Sequence, residues 1–253
     1  MAQFTLPPVY PILDTATLDR LGLDCLTAAE AVIEGGARIL QIRHKGFWSR
    51  ETVALAGRID ALCQAAGILF VVNDRADYAA VLGAALHVGQ EDLSPADARR
   101  VIGSASILGY STHSPEQVIE AEGWGSTSGY AYRSLTVAAQ NLGGWYGGGG
   151  RDAGGDVREG GEARIDYLAF GPVFPTVSKE RPDPTVGIAG LKAIRALTKK
   201  PLVAIGGITR DNAFTCWNAG ADSVAIIADL YPTPCTKISL RDRMTEWQNL
   251  TAS

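Results

Sequence analysis

Eight short apolar segments recur along the chain, and most of them are followed by a stretch with helical periodicity. They read VYPILD, ARILQIR, ILFVVND, ALHVG, SILGYST, DYLAFGPVF, PLVAIGG and SVAIIA. Segments that are apolar at almost every position are typical of strands buried on both faces, as in a parallel sheet covered by helices. The intervening TAAEAVIEGG and RETVALAGRIDALCQAAG are amphipathic and end in glycine, as helices commonly do. Eight β/α units predict a single closed TIM (β/α)8 barrel.

An open doubly wound sheet is the alternative arrangement of alternating strands and helices. Such a sheet usually binds its ligand at a Gly-rich turn directly after the first strand. Here the first segment ends at Asp14 and continues with Thr-Ala-Thr, without that turn. The pattern therefore favours the barrel.

The interval between the fifth and sixth segments is roughly twice as long as the others. It contains residues 123–164, which are rich in Gly, weakly periodic and punctuated by charges. This composition predicts an inserted, flexible surface loop, with a short helix over YRSLTVAAQNL. The run GGWYGGGGRDAGG does not indicate a nucleotide-binding loop, because no strand leads into it and no Gly-Lys-Ser/Thr ending follows. We expect one barrel domain over residues 1–253 that carries this insertion.

Composition and charge exclude several classes of function. The chain is 46% hydrophobic and 20% charged with a net charge of −4, and it has no basic stripe that would indicate a nucleic-acid partner. No apolar run is long enough to span a membrane, and MAQFTLPPVYPILD has neither the basic start nor the apolar segment of a secretory signal, so we expect no export. The four cysteines are scattered without a CxxC pair, which predicts reduced thiols. We expect a soluble, cytoplasmic protein that binds neither membrane nor nucleic acid.

Polar residues at the ends of the predicted strands are the candidates for chemistry, because active sites of (β/α)8 barrels lie at the carboxyl ends of the strands. The second segment ends in QIRHK, where Gln41, Arg43 and Lys45 share one side of the chain. An amide and two cations favour an anionic or phosphorylated ligand. The structural alternative is a buried Arg43 that pairs with a carboxylate of the next strand.

Carboxylates follow the third and fourth segments, at Asn73-Asp74 and at Gln90-Glu91-Asp92. Adjacent strands lie about 4.8 Å apart, so Asp74 and Asp92 can approach one point. Two close carboxylates repel unless one is protonated or a cation lies between them, and Mg²⁺ is usually held by few carboxylates with water and phosphate oxygens. The alternative is that each aspartate caps the helix that follows it.

The later strand ends supply hydroxyls, a lysine and glycines. The candidates in this group are Ser111, Thr176, Ser178, Lys179, Gly207, Ile227 and Ala228. Hydroxyls and backbone N–H groups at such ends can bind phosphate oxygens, and a loop lysine can neutralise a leaving phosphate group. Helix capping by Ser111 and a solvated charge at Lys179 are the structural alternatives. Ser111 and His113 predict no nucleophilic triad, because no acid is placed by the sequence to orient the histidine.

Seven of these motifs occur together in the order found in one enzyme family. With QIRHK, VVNDRAD, HVGQEDL, GYSTHS, FGPVFPTVSK, AIGGIT and AGADSVAII, the chain resembles the thiamine phosphate synthases over residues 9–122 and 165–230. The resemblance implies a transferase that condenses an aminopyrimidine diphosphate with a thiazole phosphate, or its carboxylate, and releases diphosphate through a dissociative carbocation path. It also implies Mg²⁺ as the cofactor and small phosphorylated molecules as the partners.

The resemblance further implies a role for each candidate residue. Those that would hold the pyrimidine diphosphate are Gln41, Arg43, Lys45, Asn73, Ser111 and Lys179, with Asp74 and Asp92 binding Mg²⁺ on its diphosphate. Among them, the implied catalytic residues are Arg43, Lys45, Ser111 and Lys179. Those that would contact the thiazole phosphate are Thr176, Ser178, Gly207, Ile227 and Ala228. The family usually has Ser where this chain has Ala228, so one hydroxyl contact is lost there.

Two other functions are compatible with this pattern. A thiazole tautomerase shares the fold and much of the motif set but does not use the diphosphate site, and a barrel without activity could bind a phosphorylated ligand. The full set of cations and both aspartates favour the synthase. Whether the chain forms a homo-oligomer, and whether the thiazole substrate carries a carboxylate, are questions that the sequence leaves open.

Overall fold

Eight parallel strands form a closed barrel in a computed structural model that describes residues 4–123, 164–176 and 184–251. Neighbouring strands follow the order of the chain, and β8 pairs with β1. The strands are β1 Val9–Asp14, β2 Ile39–Arg43, β3 Leu69–Asn73, β4 Ala85–Val88, β5 Leu108–Thr112, β6 Tyr167–Phe170, β7 Leu202–Ile205 and β8 Ser223–Ile226. The predicted barrel is confirmed, and the open sheet is excluded.

Helices cover the outside of the barrel. In the described residues they are α1 Thr15–Leu21, α2 Cys25–Glu34, α3 Arg50–Ala66, α4 Ala76–Leu82, α5 Pro95–Ile102, α6 Pro115–Gly123, α7 Gly187–Leu197, α8 Ala213–Asn218 and α9 Lys237–Asn249, with a 3₁₀ turn at Ala228–Leu230. Two helices lie between β1 and β2, because Gly22 ends α1 in the left-handed conformation and the Asp24 side chain caps α2.

Several strands end earlier than the apolar segments that predicted them. The segment DYLAFGPVF suggested a strand as far as Phe174, but β6 ends at Phe170. Pro172 and Pro175 have no N–H group to donate to a neighbouring strand, which explains the early end. The motif QIRHK suggested a strand as far as Lys45, but β2 ends at Arg43, so Lys45 lies on the following loop.

Side chains of the strands alternate between two apolar layers. Leu40 and Ile42 of β2 pack in the layer between the strands and the helices, whereas Ile39 faces the interior of the barrel. The interior layer also contains Ile12, Val71, Ala85, Tyr167, Ala169, Val203 and Ala225. Because strand residues alternate, the polar residues that share the inward side with Ile39 also face the interior. This alternation sets which side chains can reach the mouth of the barrel.

Three further expectations concern the cysteines, membrane spans and the insertion. All four cysteines are free, as predicted, and Cys25, Cys63 and Cys216 are buried. Within the described ranges, no helix combines the length and apolarity needed to cross a membrane. The predicted insertion, with its helix over YRSLTVAAQNL, lies outside the described residues except at positions 123 and 164.

Candidate active site

The candidate residues in the described part of the chain gather at one end of the barrel. Arg43, Asn73 and Ser111 lie at or near the carboxyl ends of β2, β3 and β5. Gly207 and Ile227 follow the carboxyl ends of β7 and β8. Because all eight strands are parallel, these ends form a single rim.

The carboxyl groups of Asp74 and Asp92 lie close together at this rim, near enough for Asp92 to raise the pKa of Asp74. The Asp74 backbone has φ 65°, a conformation that non-glycine residues rarely adopt, and its N–H donates to the His87 carbonyl at 2.8 Å. The Asp92 Oδ2 accepts a hydrogen bond from the Gly89 N–H at 2.7 Å. Both carboxylates are thus held in place by the backbone around β4.

The alternative in which these aspartates cap helices is wrong. The N-cap of α4 is Arg75, whose side chain makes no capping hydrogen bond. The N-cap of α5 is Ser94, whose side chain accepts from the Asp97 N–H. Neither Asp74 nor Asp92 is therefore needed to begin the helix that follows it.

The electrostatics of the pair favour a bound cation or proton. The pKa of Asp74 is raised to about 6, first by burial and then by the neighbouring Asp92, while the Lys45 ammonium partly opposes the increase. Within the described residues no cluster of three or more His, Cys, Asp or Glu side chains could hold a metal. A divalent cation at this pair would therefore need oxygen atoms from water or from a bound ligand, which is the ligand set that Mg²⁺ commonly has.

The two cations predicted at the rim each contact a carboxylate. Lys45 forms an ion pair with Asp74, and its side chain is 54% exposed. Arg43 forms an ion pair with Asp14, whose Oδ1 also accepts from the Thr17 N–H at 2.9 Å and so caps α1. The structural alternative, in which Arg43 pairs with a carboxylate of the next strand, is wrong about the partner, because Asp14 belongs to the preceding strand β1. In a barrel Arg43 has a strand on each side, and the sequence did not indicate which of the two supplies its carboxylate partner.

Asn73 and Ser111 supply an amide and a hydroxyl beside the carboxylates. Asn73 is buried, and among the described residues its Nδ2 has no hydrogen-bond partner. A buried N–H without an acceptor is costly and is commonly reserved for a ligand. The Ser111 Oγ lies 2.8 Å from the His87 Nε2, so Ser111 does not serve as a helix cap. His113 is directed elsewhere, with its Nδ1 2.7 Å from the Gly171 carbonyl oxygen.

The loops after β6 and β7 are joined by backbone hydrogen bonds. The Val173 N–H donates to the Ile205 carbonyl at 2.8 Å, and the Phe174 N–H donates to the Gly206 carbonyl at 3.0 Å. Gly207 has φ 63°, and its carbonyl accepts from the Asn212 Nδ2 at 3.0 Å. Thr176 is the last described residue of the first loop, and the predicted Ser178 and Lys179 lie outside the described residues.

Ile227 and Ala228 mark the beginning of the 3₁₀ turn after β8. Ile227 is the residue before this turn, and Ala228 is its first residue. Backbone N–H groups at the start of a helical turn have no partners within the turn and can bind an anion. The position fits the main-chain phosphate contact that the sequence predicts for these residues.

Sequence analysis did not identify four polar residues of the rim and of the barrel interior beneath it, namely Asp14, Tyr10, His87 and Tyr167. His87 and Tyr167 lie inside the barrel, within strands that are otherwise apolar. A polar residue within such an apolar strand was the signal in the sequence that could have identified His87 and Tyr167. Its partners, however, come from distant parts of the chain and depend on the register of the strands.

The rim and the fold together define a class of protein. It is a (β/α)8 barrel whose carboxylates, cations, amide and hydroxyl converge at the mouth where barrels of this type bind their ligands. The sequence model described as thiamine monophosphate synthase matches residues 9–132 and 148–230. The chain belongs to that family. The unmatched positions 133–147 fall within the predicted insertion.

Individual relatives agree with this family. A thiamine-phosphate synthase from Koribacter versatilis is 38% identical over 237 residues, which cover 92% of this chain and 93% of the relative. Another from Chloroflexus aurantiacus is 34% identical and covers 79% of this chain and 74% of its own length. The solved thiamine phosphate pyrophosphorylase from Pyrococcus furiosus has a TM-score of 0.70 at 26% identity, covering 97% of this chain and 95% of that chain.

Proposed function

We propose that the protein is a thiamine phosphate synthase that condenses 4-amino-2-methyl-5-hydroxymethylpyrimidine diphosphate with a thiazole phosphate or its carboxylate. The products are thiamine phosphate and diphosphate, together with CO₂ when the thiazole substrate carries the carboxylate. Family membership supports the reaction class. The observation that carries the proposal is the proximity of the Asp74 and Asp92 carboxyl groups, with Lys45 paired to Asp74 at the same rim. This grouping suits a diphosphate with a divalent cation.

The proposed reaction begins with cleavage of the bond between the pyrimidine methylene carbon and the diphosphate oxygen. The electron pair leaves with the diphosphate, and the amino-substituted ring spreads the positive charge left on the carbon. The thiazole nitrogen then donates its lone pair to form the new C–N bond. This path needs charge neutralisation on the leaving group more than it needs a strong base.

Residues of the chain can neutralise and position that leaving group. Half-exposed Lys45 can exchange its contact with Asp74 for one with a phosphate oxygen, since its side chain is long and flexible. The Asn73 Nδ2 offers a buried donor, and the Ser111 hydroxyl lies at the same rim. From the sequence, we propose that Lys179 also neutralises charge on the leaving diphosphate.

Asp74 and Asp92 fit the requirements of Mg²⁺ and would hold it. Two adjacent carboxylates with an open remainder of the coordination shell match a cation that keeps water and phosphate oxygens as ligands. Bound Mg²⁺ would supply charge neutralisation on the diphosphate oxygens.

The test is incubation of the purified protein with the pyrimidine diphosphate, Mg²⁺ and either thiazole phosphate or its carboxylate. We expect thiamine phosphate and diphosphate to form in equal amounts, and the faster thiazole substrate identifies the partner. Isomerisation of the thiazole alone would instead indicate a tautomerase. Retention of ligand without turnover would indicate a binding protein, and either outcome would contradict the proposal.

The raised pKa of Asp74 predicts that metal binding weakens in acid. Asp74 is protonated as the pH falls below about 6, whereas an ordinary aspartate with a pKa near 3.8 stays ionised there. A protonated carboxyl binds metal poorly, so the affinity should fall about tenfold between pH 7 and pH 5. Titration of the substrate-free protein with Mn²⁺, followed by EPR, measures the metal affinity at each pH. Because no diphosphate is present, its own ionisation does not affect the result. A constant affinity over this range would contradict the assignment of Asp74.

Ala228 predicts weak binding of the thiazole phosphate. Ala228→Ser restores the hydroxyl that the family usually has, at the first residue of the 3₁₀ turn. One hydrogen bond of about 0.5–1.5 kcal/mol corresponds to a decrease of roughly 2- to 13-fold in the KM for the thiazole phosphate. The KM for the pyrimidine diphosphate should stay the same. A change confined to the KM for the pyrimidine diphosphate would contradict the assignment of Ala228 to the thiazole phosphate subsite.

We also propose that the enzyme acts in the cytoplasm on small phosphorylated substrates. Four free cysteines, three of them buried, fit a reducing compartment.

A further inference from the structure

A chain of hydrogen bonds crosses the interior of the barrel and ends at the rim. The Gln41 Nε2 lies 2.8 Å from the Tyr10 hydroxyl, which lies 2.9 Å from the Tyr167 hydroxyl. The Tyr167 hydroxyl is 3.1 Å from the His87 Nδ1, and the His87 Nε2 is 2.8 Å from the Ser111 Oγ. We call these five residues the interior relay.

The proton positions in the interior relay are linked, because a tyrosine hydroxyl has only one proton to donate. The Gln41 Nε2 donates to Tyr10, and the Tyr167 oxygen is then the acceptor within the relay for the single Tyr10 proton. If Tyr167 donated to Tyr10 instead, the buried Tyr10 proton would have no acceptor in the relay, which is unfavourable. The Tyr167 proton is then directed to the His87 Nδ1. A ring nitrogen that accepts a hydrogen bond carries no proton, so the ring proton of His87 is on Nε2.

This order of donors determines what Ser111 can do. With its proton on Nε2, His87 donates to the Ser111 oxygen, and the Ser111 hydroxyl keeps its own proton for another acceptor. In the reverse order Ser111 would donate to His87 and would offer only lone pairs at the rim. Ionised phosphate oxygens only accept hydrogen bonds, so only the first order suits a diphosphate.

We propose that Tyr167 is a positioning residue that, through the Nε2–H tautomer of His87, fixes the Ser111 hydroxyl as a donor to the leaving diphosphate. The inference rests on the proposed function and adds a residue that contacts no substrate. Every member of the relay except Ser111 is buried. Water therefore cannot readily replace a missing donor.

Gly109 provides the space for the Tyr167 ring. A Cβ atom at position 109 would lie 2.1 Å from the Tyr167 Cζ. The rings of His87 and Tyr167 are stacked, with centroids 5.5 Å apart and an interplanar angle of 24°. The packing thus holds the Tyr167 hydroxyl against the His87 Nδ1, as a positioning role requires.

The tautomer of His87 can be measured directly in the unmodified protein by ¹⁵N NMR of the imidazole nitrogens. The chain has three histidines, so His44→Gln and His113→Gln assign the His87 signals by elimination. We expect His87 to be protonated at Nε2 in the free enzyme. Protonation at Nδ1 would overturn the proposal, and this result requires neither activity nor a substituted relay.

Tyr167→Phe then tests the consequence for catalysis. Loss of the donor to His87 should give a mixture of tautomers and lower kcat/KM for the pyrimidine diphosphate by about 10- to 100-fold, as expected for a hydrogen bond to a charged group. The KM for the thiazole phosphate should not change. Tyr231→Phe is the control for the NMR signal, because it removes a half-buried hydroxyl outside the relay, one that donates to the Ile12 carbonyl at 3.3 Å and accepts from the Asp14 N–H at 3.1 Å.

A double-mutant cycle separates positioning from general destabilisation. In a Ser111→Ala background, Tyr167→Phe should have little further effect on kcat/KM, because the proposed role of Tyr167 acts through Ser111. Fully additive losses, or an unchanged tautomer in Tyr167→Phe, would overturn the proposal. If the unmodified protein forms no thiamine phosphate, the proposed function fails, while the NMR result still decides the order of the relay.

Discussion

Asp92→Asn is expected to lower kcat on the order of 10²–10³-fold and to abolish the dependence of turnover on Mg²⁺ concentration. The asparagine side chain keeps an oxygen that can accept from the Gly89 N–H, which Asp92 Oδ2 contacts at 2.7 Å. The loop after β4 should therefore keep its conformation. What is lost is one negative charge beside Asp74, and with it half of the proposed metal site. Steady-state kinetics over a range of Mg²⁺ concentrations measures the effect.

Asp97→Asn is the matched control for Asp92→Asn. Asp97 lies in the first turn of α5, and its exposed side chain pairs with Arg100 at 3.2 Å. Surface ion pairs contribute little, so this variant should keep its activity and its Mg²⁺ dependence. Circular dichroism and thermal melting of both variants establish that the fold is intact. An Asp92→Asn protein with ordinary, Mg²⁺-dependent turnover would remove the metal assignment.

The fold was predictable because local patterns and global topology agree. Buried parallel strands leave runs of apolar residues, such as VYPILD and SVAIIA, that are visible without any long-range information. The ends of strands were less predictable. The apolar character of DYLAFGPVF continues past Phe170, although Pro172 has no N–H group to extend the sheet.

The candidate site was predictable where it depends on strand ends and unpredictable where it depends on register. That Asp74 and Asp92 share a rim follows from the spacing of adjacent strands. That Arg43 pairs with Asp14 could be known only after β2 was placed beside β1 with Asp14 opposite Arg43. The contact between Tyr10 and Tyr167 likewise joins residues that are distant in sequence.

Asp74 combines two features that are unfavourable for stability. Its backbone has φ 65°, and its buried carboxyl group lies against a second carboxyl group. Each feature disfavours the ligand-free state, and neither is needed to begin α4. Strained conformations and like-charge pairs of this kind persist at functional sites, where a ligand relieves them. This is the physical reason to assign the metal to this pair rather than to another acidic group.

Gly207→Ala is expected to lower the free energy of unfolding by about 2–5 kcal/mol and to raise the KM for the thiazole phosphate. Gly207 has φ 63°, and a Cβ atom there would lie 2.4 Å from the Pro175 carbonyl oxygen and 2.7 Å from the Phe174 Cβ. The added methyl group must therefore push the loop after β6 away from the loop after β7. Both loops belong to the proposed thiazole phosphate subsite, so stability and binding should decline together.

Gly67→Ala separates backbone strain from the steric clash. Gly67 follows α3 with φ 67°, nearly the same as Gly207, but nothing lies within 4 Å of its added Cβ atom. This variant should therefore lose only about 1 kcal/mol and keep its KM values. Denaturant unfolding of both variants gives the comparison. Equal losses in the free energy of unfolding would mean that backbone strain alone explains the effect of Gly207→Ala. Close packing between the loops after β6 and β7 would then not be what holds this subsite in place.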